Sequence, residues 1–270
     1  MKFTQLLASI GMTLIFSSCL NDPNTLYPVQ SVSLHEQQIE LQIEPSQTEV
    51  QNSSLSLTQE QMVVVQELDE MLSMKERILQ TRTDSLWPAL TRQWTEFSLK
   101  HIGTHRTPYA QDESLSKTFF PEAARKWAQL NVDLVKLSGE VRFGDALEVL
   151  LYGTSEGVFP QDLLKSVIYT HVYDDIYINL IGASSMEYAH TTGGTVKIIQ
   201  QTNYPQSDEM TLSVETNDVR YMDVFIRIPS WAVNPSVTHG VVKYVASPGG
   251  YCQISKKWRT GDAIQILLRQ

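Results

Sequence analysis

Hydrophobic positions recur with two different periods along this chain, and the change of period divides it. From Thr58 to Tyr169 the spacing is that of helices. Val65, Leu68, Leu72 and Leu79 fall on one helical face, with Thr58 as N-cap and Gln61 three places on, the pairing of a capping box. Leu86 to Leu99 predicts a second helix carrying Trp87, Trp94 and Phe97, with Pro88 in its first turn. Pro121 opens a third; Trp127, Leu130, Leu134 and Leu137 line one side of it, and Gly139 stops it. Asp145 to Tyr152, ending at Gly153, predicts a fourth, and Asp162 to Tyr169 a fifth. Apolar stripes at this spacing read as packing surfaces rather than as a cofactor site.

Beyond Asp174 the period falls to two. Asp175-Ile176-Tyr177-Ile178-Asn179-Leu180, the run from Val224 to Ile228 and the run from Ala263 to Leu268 alternate apolar with polar residues. Val196 to Ile199 and Met210 to Val214 add two more strands, bounded by Gly193-Gly194, Tyr204-Pro205 and Asn217-Asp218. Pro229 ends one run and Gly261-Asp262 supplies a turn. The predicted fold class is therefore α+β, a helical layer followed by an antiparallel β-sandwich. Upstream, Ile39, Leu41 and Ile43 alternate with polar neighbours from Gln38 to Glu44. That pattern leaves open whether the segment is a strand of the sandwich or part of a tether.

The N-terminus bears on location. Lys2, the apolar run from Leu6 to Phe16 and Ser17-Ser18 ahead of Cys19 resemble a bacterial lipoprotein signal, in which the cysteine takes lipid and begins the mature chain. A plain secretory signal with an incidental cysteine is the alternative. Leu20, where an aspartate would favour the inner membrane, points to the outer one. Between Leu20 and Met62 stand six acidic residues and no Lys or Arg, among several prolines, the composition of a solvated tether. The net charge of −9 lacks the basic surface that nucleic acid requires. With Cys19 lipidated, Cys252 has no partner for a disulfide and reads as a small buried hydrophobe.

Four phrases stand in an informative order: Asp174 to Leu180; Gln201-Thr202-Asn203-Tyr204-Pro205; Arg227-Ile228-Pro229-Ser230-Trp231-Ala232; and Trp258 to Asp262. Together they resemble the β-sandwich part of the family 127 glycoside hydrolases, the β-L-arabinofuranosidase-like family. The stretch from Leu137 to Tyr152 resembles a helical phrase of the same family, and Lys100 to Thr104 echoes another. The resemblance runs from about Lys100 to Leu268. It implies that the helices are the last few of an (α/α)6 barrel, or α-toroid, whose remaining helices are missing.

In that family a glutamate general acid/base works with a cysteine nucleophile held on zinc. The sulfur ligands come from a Glu-x-Cys phrase and a later Cys-Cys pair. Counting back from Gly139 puts Phe120 and Glu122 at the first phrase, or Glu122 and Ala124 after a two-residue slip, and Val158-Phe159 at the second. None of these supplies a thiolate, so no metal ligands and no cofactor are expected. The resemblance places Glu148 at a position that contacts sugar hydroxyls and Glu113 near the general acid, and leaves Glu122 as a further carboxylate candidate. Asp112-Glu113 otherwise reads as a solvated loop pair, and Glu148 as a polar residue on a helix face. His101 and His105 stand four apart, but Gly103 and Pro108 argue against a helix that would make them joint ligands. Tyr177, Tyr188, Tyr204, Tyr221 and Trp231 are candidates for stacking on sugar rings, or else ordinary core residues.

These readings divide the chain into a lipoprotein signal peptide (1–18), an acidic tether (19–57), a helical barrel remnant (58–172) and a β-sandwich (173–270). The function they imply is that of a lipid-anchored envelope protein, non-catalytic or accessory, that interacts with carbohydrate. Two alternatives stand beside it. One is a glycosidase acting without zinc through Glu113, Glu122 or Glu148; the other is a structural protein whose helical layer packs on a protein partner.

Overall fold

A computed structural model describes residues 38–41, 57–81, 84–103, 113–154 and 159–269. Cys19, the signal peptide, His105, Asp112, Val158 and the tether, apart from 38–41 and 57, lie outside the described residues. Among the described residues six α-helices come in chain order: α1 (Gln59–Thr81), α2 (Trp87–His101), α3 (Glu113–Thr118), α4 (Pro121–Ser138), α5 (Val141–Gly153) and α6 (Gln161–Val167). Thr58 and Gln61 form the expected capping box, Thr58 N–H donating to Gln61 Oε1 at 3.0 Å and Gln61 N–H to Thr58 Oγ1 at 3.2 Å. Gly139 closes α4 with φ 67°, a left-handed cap that favours glycine.

Two helices differ from expectation. The buried stripe of α1 is Val64, Leu68, Met71, Lys75 and Ile78, whereas Leu79 is exposed. A lysine at the centre of that face hides it from an apolar count. Lys75 is tolerated inside because its Nζ reaches Asp133 Oδ2 on α4 at 2.8 Å and Glu76 Oε1 at 2.5 Å. The fourth predicted helix starts at Val141 rather than Asp145. Gly144 lies inside this helix, against Arg227.

The helices pack around α4, which contacts α1, α5 and α6. Trp94 stacks on Trp127 with centroids 5.7 Å apart, and Phe143 meets Trp94 edge-on at 5.0 Å. The Trp94 indole N–H finds Asn131 Oδ1 at 2.8 Å, so the ring is buried without an orphaned donor. No described helix is long and apolar enough to cross a membrane.

Among the described residues ten strands follow the helices, and with β1 (Gln38–Leu41), which lies upstream of them, they form two sheets. The remainder are β2 (Tyr169–Val172), β3 (Asp175–Ile178), β4 (Ser184–Ala189), β5 (Thr195–Thr202), β6 (Glu209–Thr216), β7 (Arg220–Ile228), β8 (Ser236–His239), β9 (Val242–Tyr244), β10 (Gly250–Trp258) and β11 (Ala263–Leu267). The larger sheet runs β1-β4-β5-β6-β11-β8-β9 and the smaller β10-β7-β3-β2. All pairings are antiparallel except β3 with β7, which is parallel. Strand pairing begins at Tyr169, inside the stretch predicted to be the fifth helix, because α6 stops at Val167. The alternating Gln38–Leu41 segment is a strand, pairing Gln38 with Glu187 and Leu41 with Ser184 at the sheet edge.

Cross-sheet contacts include Tyr169 Oη with Ser184 Oγ at 2.8 Å and Tyr188 O–H to Met222 Sδ at 3.0 Å. Val224 to Ile228 are all buried. A strand whose two faces are both covered, one by the other sheet and one by helix side chains, reads as a continuous apolar run. Arg227 is the exception within it, and around Arg227 the helices and strands are joined.

Candidate functional site

Successive residues of β7 point to opposite faces, so Ile226 and Ile228 share one side and Arg227 takes the other. Arg227 is 1% exposed. A guanidinium so enclosed needs acids and acceptors around it, since an unpaired charge in the interior is costly. Asp145 and Glu148, three apart on one face of α5, supply the acids: Nη1 bonds Asp145 Oδ1 and Nη2 meets Glu148 Oε1. Nε donates to the backbone oxygen of Asn179.

Glu148 is fully buried, and both its oxygens are engaged. Oε1 also accepts the Ile181 N–H at 3.0 Å, and Oε2 accepts the Tyr204 hydroxyl at 3.1 Å. Burial pushes its carboxyl above the ordinary range, while the charge of Arg227 and the Ile181 N–H pull the other way. For Arg227 burial would lower the value, but Glu148 and Asp145 hold it higher than usual. One helical turn on, the Tyr152 hydroxyl donates to Ile181 O at 2.6 Å, and its ring meets Tyr204 edge-on at 5.1 Å. Asn179 ties the junction to the small sheet. Its Nδ2 donates to Val167 O at 2.8 Å and Thr170 Oγ1 at 2.9 Å, and its Oδ1 accepts the Tyr251 hydroxyl at 2.7 Å.

Three of the four strand phrases singled out in sequence, together with the helical phrase of α5, therefore meet at one place, through Asn179, Tyr204, Arg227 and the Asp145–Tyr152 stretch. The fourth makes a turn of its own, where Asp262 accepts Arg259 N–H at 2.9 Å and Lys256 Nζ at 3.0 Å.

The remaining candidates lie apart from this junction. The Glu122 side chain is half exposed on the first turn of α4, 3.9 Å from Lys126 Nζ. Glu113 is the first residue of α3. Of the aromatics, Tyr177, Tyr188 and Tyr204 are buried, as core residues are; Tyr221 is 57% exposed and Trp231 half-buried. Tyr177 is held by stacking on Phe225 at 4.5 Å, and Tyr204 by Trp231 and Glu148, so none of the three offers an open ring face.

Among the described residues, the positions at which the resemblance expects sulfur ligands hold none. Phe120 caps α4, Phe159 is buried, and Cys252 lies inside β10, its thiol pushed up to about 11 by burial. Among the described residues no three His, Cys, Asp or Glu side chains converge as metal ligands.

Residues 175–269 match the family model of the beta-L-arabinofuranosidase GH127 middle domain. Over that stretch the chain resembles GH127. Two solved structures extend the likeness in fold. One is a GH127 beta-arabinofuranosidase, with a TM-score of 0.58 at 17% identity over 76% of this chain and 42% of its own. The other is a GH127 beta-L-arabinofuranosidase from Geobacillus stearothermophilus T6, with a TM-score of 0.56 at 18% identity and the same coverage. The chain thus spans less than half the length of the GH127 proteins it resembles. No curated protein matches.

The sequence-based candidates missed Arg227, Asn179 and Tyr152 as a unit with Glu148. A signal was present: an arginine within the otherwise apolar run Val224 to Ile228 requires an acid elsewhere in the chain.

Proposed function

We propose that this chain is a carbohydrate-interacting protein that does not hydrolyse its ligand. In this reading α1–α6 are the remnant of an (α/α)6 barrel, the two sheets form a β-sandwich, and lipid on Cys19 holds the protein at the outer membrane. The observation that carries it is the state of Glu148. Its two oxygens face Arg227, Ile181 and Tyr204, and its side chain is 1% exposed. A carboxylate enclosed in this way, with both oxygens already held by protein donors, has no path to a sugar hydroxyl or a glycosidic oxygen. The GH127 resemblance supports a glycan as the ligand.

The test is a screen of the purified chain against arabinofuranoside reporters and plant glycans, with hydrolysis and binding measured on the same samples. Binding without hydrolysis is the expected result. Hydrolysis that is insensitive to chelators and lost in Glu148→Gln would overturn the reading in favour of carboxylate catalysis. Radiolabelled palmitate incorporated by the wild type and not by Cys19→Ser checks the anchor.

A further inference from the structure

Beside the Arg227 junction, and opening to solvent, lies a groove of about 180 Å³ between α2, α5 and the segment that follows β7. Ligand pockets for drug-sized molecules run to roughly 300–1,000 Å³, so this one has room for a single small ring. Trp94, Ser98, Arg142, Asp145, Ser230 and Trp231 are among its lining residues.

The wall is rigid. Trp231, which lines the groove, is stacked by Tyr204 at 6.4 Å and 13°. Trp94 is pinned by Trp127 and Asn131. The Arg142 guanidinium lies 5.4 Å from the Trp94 centroid and 4.8 Å from that of Phe143, and Nη2 is held by Glu140 at 2.7 Å. Its Nε is buried and donates to no group among the described residues. Asp145 faces the same groove, with Oδ1 on Arg227 and Oδ2 accepting Ser230 N–H at 3.1 Å. Each of those carboxylate oxygens retains acceptor capacity.

We propose that this groove binds one neutral sugar ring, stacked against Trp231 and hydrogen-bonded by Arg142 and Asp145; this rests on the carbohydrate reading above. Charge decides the class of ligand. An anion attracted by Arg142 would also meet Asp145 and Glu140. An apolar molecule would desolvate Arg142 and Asp145 without replacing their water hydrogen bonds. A polyol ring satisfies both, because its hydroxyls donate to Asp145 and accept from Arg142 while its C–H face lies on the indole.

The test is a titration of the purified chain with methyl arabinofuranosides and arabinan oligosaccharides, followed by tryptophan fluorescence and calorimetry. Ser98→Phe fills the groove and Arg142→Gln removes the cation; two independent changes are used so that one that unfolds, as seen by circular dichroism, does not decide the matter. The expected result is sugar binding that weakens about tenfold in the folded groove variants. Binding unchanged in them, or lost instead in Tyr221→Ala, overturns the groove while leaving the carbohydrate reading intact. No binding of any of these sugars by the wild type overturns both.

Discussion

Gly144 makes the room that Arg227 occupies. A Cβ on Gly144 would stand 2.8 Å from Arg227 Cδ, 3.0 Å from its Nε and 3.3 Å from the backbone oxygen of Asn179. Glycine inside a helix costs about 1 kcal/mol relative to alanine, and here the close approach of β7 offsets that cost. The same approach lets Asp145 and Glu148 reach one guanidinium.

Gly144→Ala, which elsewhere in a helix would stabilise, is expected to destabilise this protein by about 1–3 kcal/mol, the usual cost of overpacking against a side chain held on several sides. Urea unfolding followed by circular dichroism measures it. A stability gain would show that Arg227 moves aside freely.

Arg227→Met leaves Asp145 and Glu148 facing each other without a cation. Breaking a buried pair in this way costs about 3–5 kcal/mol. Adding Glu148→Gln to Arg227→Met is expected to return part of that loss, giving a coupling energy well above the few tenths of a kcal/mol seen for distant sites. Strictly additive losses in the double-mutant cycle would dissolve the proposed pair.

Asp262 gives the fold a dependence on acid. Burial alone would raise its carboxyl, but hydrogen bonds from Lys256 and the Arg259 N–H, with the charges of Lys256 and His239, hold it below the ordinary value. A depressed acid contributes stability that is complete above its unfolded pKa, near 4, and is lost as pH falls through the folded one. The wild type is therefore expected to lose about 1 kcal/mol more than Asp262→Asn on going from roughly pH 5 to pH 2. Parallel denaturation curves for the two proteins over that range would contradict the assignment.

Cys252 is fully buried with its thiol raised to about 11, so little thiolate exists near neutrality. In a Cys19→Ser chain, a thiol reagent at mildly alkaline pH should leave Cys252 untouched until urea unfolds the protein. Stoichiometric labelling of the native chain would place Cys252 within reach of solvent.

How much of this was legible from sequence differs from element to element. The α4 helix, with Pro121 at its start and Gly139 at its end, is written in local chemistry and forms as expected. The capping box at Thr58 is local too. The face of α1 was misread because Lys75 is buried only by virtue of Asp133, far along the chain. The runs from Asp175 to Leu180 and from Val224 to Ile228 marked β3 and β7 but not their parallel pairing, since the period of a strand is the same in either direction. Glu148 was singled out through resemblance, and its role depended on Arg227, a partner that no local pattern specifies. The order of phrases carried the GH127 likeness; where those phrases converge in space only the fold reveals.

The account stands on Glu148 holding the helices to the sheets rather than touching a ligand. Glu148→Gln keeps the shape and removes the charge, so urea unfolding and sugar titration of one preparation separate the two roles. A loss of about 3 kcal/mol in stability, with the sugar affinity of the folded fraction unchanged, is the predicted outcome. Unchanged stability with binding or hydrolysis abolished would contradict it.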